Sequence, residues 1–264
     1  MTSSSLEPHK PVVNDLGKFV SFISEFRNDR WIFRGQPNIA DPLMPKAGRP
    51  AYFLKNNGDL ERFSRWSHQA VAFCPELPEN DFERLAFARH YGLATRLLDW
   101  SANALVALYF ATEGEPAGPI NPNCSRTPEP DGGVFIYLKP TGEIDVNHHR
   151  LTEQGGVMFY SPRPIVRRIM AQDGIFTFHP CPNVPLEPQP LPSNIGHPPN
   201  TQDLVVVRVP AAKKRKLQSQ LRDVGVLARS IYPDIEGLSK SINLVTHWMA
   251  HPRPGIKTIY PSTD

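Results

Sequence analysis

Residues 101–112, SANALVALYFAT, constrain this fold more than any other stretch of the chain. Read as a helix capped by Ser101, the segment is apolar on every side. A helix with no polar face has to lie buried in a core. The chain has 264 residues, enough for one large domain that buries roughly 70–75% of its unfolded surface. Apolar residues make up 40% of it, so such a core can be filled without staples.

Proline use marks where that core is interrupted. Of the 29 prolines, five fall in residues 115–133 and eight in residues 179–199. Neither stretch has apolar periodicity. Repeated proline fixes φ and removes backbone donors, which predicts long surface loops inserted between structured parts. Three widely spaced cysteines, Cys74, Cys124 and Cys181, give neither a disulfide framework nor a CxxC metal site. No 18-residue apolar run occurs, and the opening MTSSSLEPHK has no apolar stretch behind its charges. The reading is a cytoplasmic protein that does not enter a membrane.

The remaining pattern is mixed. Leu16, Phe19, Val20, Ile23 and Phe26 fall at helical spacing within 14–26, after a candidate cap at Asn14 or Asp15. Trp31 to Arg34 reads as a short strand stopped by Gly35, and residues 36–50 as a loop. Helices are predicted over 59–70 and from Asn80 to about Tyr91, where Asn80 and Glu83 resemble a capping box. Strands are predicted at 133–138, 156–160, 174–178 and 204–209, and helices near 164–171, 211–223 and 234–249. Elements that alternate this irregularly exclude a doubly wound parallel sheet. The expected class is α+β, one domain with a largely antiparallel sheet, helices around it and long proline-rich insertions.

No P-loop, GxGxxG, HExxH or GxSxG pattern occurs. His148 and His149 are adjacent, and adjacent side chains rarely reach one ion, so no metal is expected. What stands out is charge set inside apolar sequence. Arg34 ends an apolar strand, and His90, Arg96 and Asp99 bracket the approach to the all-apolar helix. Two readings stand side by side. One is a buried Arg–Asp bridge that fixes the fold. The other is a guanidinium gripping phosphate or carboxylate, with His90 as a titratable neighbour.

The blocks FRGQ (33–36), LMPKAGR (43–49), FARHYGLATRLLDWSANALVALYFA (87–111), RRIMAQDGIFTFH (167–179) and VGVLARSIYPDIEGLSKSI (224–242) resemble the FRG domain, a bacterial module named for its (F/Y)RG motif. The resemblance runs from about residue 15 to 245. It sets the expected organisation: a flexible N-terminus over 1–13, the FRG domain over 14–250 and a tail over 251–264. More distantly, FRG at 33–35 and LDWS at 98–101 before the apolar helix resemble the opening blocks of ADP-ribosyltransferase folds. That resemblance implies NAD as cofactor, ADP-ribosyl transfer to a nucleic-acid or protein acceptor, and a toxin-like or defence role.

It further implies NAD contacts from Arg34, Gly35, Gln36, Tyr91, Thr95, Arg96, Trp100 and Ser101. Arg34, His90, Asp99 and Gln172 become the candidate catalytic residues. The family's late-strand glutamate has no evident counterpart. Gln172 stands about where it would be sought, and Glu236 lies in a helical context.

A second hypothesis rests on charge. The formal net charge is only +3, from 29 Lys and Arg against 26 Asp and Glu. Basic residues nevertheless cluster at Lys213, Lys214, Arg215, Lys216 and Arg222, and at Arg163, Arg167 and Arg168. These two helices would suit a non-catalytic module docking on nucleic-acid phosphates or on a protein.

Overall fold

Helix α1 (Leu16–Ile23) starts at Asp15, whose side chain accepts from the Gly17 amide. After it come β1 (Trp31–Gln36), α2 (Gly58–Ala70), α3 (Asp81–His90), β2 (Leu97–Ser101) and α4 (Ala104–Thr112). The rest comprises β3 (Gly132–Leu138), β4 (Met158–Tyr160), α5 (Arg167–Ala171), β5 (Gly174–Phe178), β6 (Leu204–Val209), α6 (Ala211–Asp223), α7 (Ala228–Ile231) and α8 (Ile235–Ala250). These elements come from a computed structural model that describes residues 11–26, 29–114, 129–140, 142–163, 167–187 and 204–250. The expectations for 1–10, for the tail beyond 250 and for most of the two proline-rich stretches lie outside the described residues.

The strands form one sheet in the order β4-β5-β2-β1-β3-β6. Every neighbouring pair is antiparallel. Together with the helices this makes a single α+β domain. Val12, in the segment expected to be flexible, instead bridges to Arg208 of β6, and Val13 is buried. Residues 180–187 are likewise held to the body, where Leu186 pairs with Leu43.

The all-apolar helix is α4, and its surroundings explain its composition. One side lies on β1 and β3 and another packs on α6, which buries most of the helix and leaves Ala104, Leu105 and Phe110 partly covered. The approach to the sheet depends on two glycines. A Cβ on Gly35 would stand 1.8 Å from the Ala107 carbonyl oxygen and 2.8 Å from Phe110 Cβ, and one on Gly132 would stand 2.1 Å from the Ala111 carbonyl oxygen. Ser101 is not the cap of α4. It ends β2, and Asn103 caps the helix by accepting from the Leu105 amide. Two further elements escape the sequence pattern: Leu97–Ser101 forms a strand, and the short α7 precedes α8.

Candidate functional site: an arginine-lined cavity

A cavity of about 370 Å³ opens where β1, β2 and β5 meet the end of α3, α4 and α5. Its origin lies in the sheet. β1 pairs with β3 along its whole length, from Trp31 opposite Leu138 to Gln36 opposite Gly133. With β2 it pairs only at Phe33 and Ser101. Beyond that point the Asp99 carbonyl oxygen accepts from Arg34 Nη1 at 2.8 Å, a side chain acting where a ladder amide would otherwise serve.

Arg34 Nε donates to Gln36 Oε1 at 3.3 Å, which leaves Nη2 uncommitted among the described residues. Burial pulls the Arg34 pKa down, opposed by Asp99 and reinforced by Arg89 and Arg49, to about 10. The group is therefore still a cation at neutral pH. Asp99 Oδ2 accepts from Arg89 Nη2 at 2.5 Å and Nε at 3.2 Å, and lies 3.6 Å from Arg34 Nη1. Burial pushes Asp99 up, but the Arg89 and Arg34 charges and the Arg89 hydrogen bond outweigh it. The carboxylate sits below its ordinary range. One oxygen thus serves two guanidiniums.

Arg168 of α5 is the third cation of the wall. Its guanidinium stacks 4.0 Å above the Tyr232 ring, and Lys240 lies 4.3 Å from the same ring. Tyr232 Oη donates to Glu113 Oε1 at 3.0 Å. Burial raises the Glu113 pKa, against the pull of Tyr232, Lys240, Tyr109 and Arg168. His90 also lines the cavity. Burial and Arg168 lower its pKa, against Asp234, so the imidazole is neutral at neutral pH. Among the described residues the charged lining is therefore three guanidiniums against one carboxylate, set among Phe33, Trp100, Phe110, Phe176 and Tyr232.

The expected site residues divide. Arg34, Gly35, His90, Asp99, Trp100, Ser101 and Gln172 line the cavity. Within it, the Gln172 side chain donates to the Ile231 carbonyl at 3.2 Å, and Ser101 Oγ donates to the Gln172 carbonyl at 2.6 Å. Trp100 Nε1 donates to Thr177 Oγ1 at 2.9 Å, and that hydroxyl lies 2.9 Å from Nε2 of the buried His179.

Four expected contacts lie elsewhere. Arg96 is 1% exposed and forms a bidentate bridge to Asp59, at 2.7 and 2.6 Å. Its remaining donors reach the Leu151 and Pro180 carbonyls and Asn57, so it is spent on the fold. Thr95 is buried next to it, and the Gln36 amide donates to the Asp41 carbonyl. Tyr91 is 65% exposed, outside the cavity.

Residues 29–118 match the FRG domain. No curated protein and no solved structure matches the chain. The FRG match takes in β1, α2, α3, β2 and α4. It therefore contains Arg34, Arg89, His90 and Asp99, and stops short of the 15–245 span over which the sequence blocks resemble the family. Arg168, Gln172 and Tyr232 close the cavity from beyond the matched region. Arg89, Arg168, Tyr232 and Glu113 were missed as site residues by sequence reasoning. Arg89 falls inside the block 87–111, three residues from the motif's Gly92, which is the one signal that pointed to it.

Proposed function

We propose that the FRG-matching region and the segments that close its cavity form a binding module for an organic phosphate of nucleotide type. The observation that carries this reading is the excess of guanidinium over carboxylate in a cavity walled by aromatic rings. Guanidinium forks suit phosphate oxygens, and ring faces suit a base. NAD is the nucleotide named by the resemblance to ADP-ribosyltransferase folds. Transfer of ADP-ribose would also need a carboxylate free to act on the ribose, and Asp99, the carboxylate of the wall, is tied to two guanidiniums. The proposal is therefore of binding.

The basic-helix alternative has less in its favour. Lys214 is buried and donates to the Pro37 carbonyl, and Lys216 pairs with Asp15 at 2.7 Å. Arg163 pairs with Glu83. These cations already serve the fold.

Calorimetric titration with AMP, NAD and inorganic phosphate tests the reading. Losing one charge-assisted contact costs about 1.5–3 kcal/mol, so Arg34→Gln and Arg89→Gln should each weaken AMP by about 10- to 150-fold. Wild-type protein that binds none of the three, or variants that bind as it does, would end the proposal. NAD consumption with nicotinamide release would instead favour the transferase reading.

A further inference from the structure

The mouth of the cavity continues into an exposed face on which aromatic and basic side chains interleave. Gly92 is the junction. It lines the cavity, and its carbonyl accepts from Lys46 Nζ at 3.1 Å. Lys46 also lies 4.9 Å from the centre of the Tyr52 ring, and Tyr52 is 42% exposed. On the other side of Gly92, Tyr91 packs edge-on to His90 at 4.9 Å and tilts against Phe87 at 4.8 Å. Phe87 in turn meets Trp66 of α2 at 6.3 Å. Arg62 donates to the Ala94 and Tyr52 carbonyls, and Arg65, one turn further along α2, is exposed.

From this arrangement we infer that single-stranded nucleic acid docks here, one nucleotide seated in the arginine cavity and the base of the next nucleotide stacked on Tyr91. The inference rests on the phosphate-binding reading of the cavity and deepens it from a free nucleotide to a strand. Three features favour a strand over a protein partner. The face joins a seat for phosphate, it carries cations at Lys46, Arg62 and Arg65, and it presents ring surface that accepts any base. A duplex keeps its bases stacked on one another and offers Tyr91 none. His90 is neutral and half-buried, so it contributes a ring edge and no repulsion towards the cations around it.

The test is fluorescence anisotropy with a labelled 12-nucleotide single strand, as DNA and as RNA, against its duplex and against AMP. The single strand should bind at least tenfold tighter than AMP and tighter than the duplex. Stacking contributes about 1–3 kcal/mol per base, so Tyr91→Ala should weaken the strand by about 5- to 150-fold and leave AMP unchanged. Lys46→Gln should weaken the strand and flatten its salt dependence. If AMP binds through Arg34 while strand and duplex bind alike, or if both rim variants bind the strand as wild type does, the strand inference falls and the cavity reading stands. If neither AMP nor the strand binds, both fall. Strand binding that depends on α6 lysines and not on Tyr91 would also overturn it.

Discussion

Replacing Gly35 by alanine asks how much of the motif is steric. The added Cβ would sit 1.8 Å from the Ala107 carbonyl oxygen, 2.6 Å from the Ala111 nitrogen and 2.8 Å from Phe110 Cβ. Ordinary contacts begin at about 3.4 Å, so α4 would have to back away by well over 1 Å. It cannot do so freely, because α6 packs on it from the other side. Overpacking a filled core costs about 1–3 kcal/mol and occasionally more. With backbone as the obstacle on two of the three contacts, we expect about 3 kcal/mol. That is a large share of a total stability of about 5–15 kcal/mol. Urea denaturation should show a lower midpoint with an unchanged slope. Phe110 and Ala107 line the cavity, so phosphate binding should weaken as well. A loss below 1 kcal/mol, with binding intact, would refute the view that this glycine exists to let the helix touch the strand.

Two other outcomes follow from the buried polar groups. Arg96→Ala and Asp59→Asn should each cost about 3–5 kcal/mol in thermal or urea denaturation, because each strands a buried partner; the double variant should cost much less than the sum. His179 is buried and its pKa falls to about 3 through burial and then Arg34. The unfolded chain therefore takes up a proton below about 6.5 that the fold refuses. Stability should drop as pH falls from 6.5 towards 3, by about 1.4 kcal/mol per unit from this group. His179→Gln should shrink that slope, and an unchanged slope would contradict the assignment.

Much of the fold was legible because it follows from periodicity. The spacing of Leu16, Phe19 and Ile23 announces α1, and the all-apolar run announces a helix enclosed by other layers. LLDWS does not read as a strand, since five residues with an aspartate at the centre show no alternation. Asp99 is tolerated there because β1 and β2 part and two arginines meet its carboxylate.

The site was harder to read, for a physical reason. Whether an arginine serves ligand or fold depends on which carboxylate reaches it. The buried Arg–Asp bridge exists, but it joins Arg96 to Asp59, 37 positions away. Arg34 keeps the cavity. Arg168 and Tyr232 come from α5 and the end of α7, more than 60 positions apart, and no local pattern joins them. The basic run on α6 illustrates the converse, since Lys214 turns inward to the Pro37 carbonyl.

The most direct test of the arginine cavity is a titration of 15N-labelled protein with AMP, followed through the arginine Nε–H signals. The account predicts that Arg34, Arg89 and Arg168 shift together and saturate, while Arg96, locked on Asp59, stays still. Unmoved signals for those three, or shifts confined to Arg215 and Arg222 on α6, would contradict it.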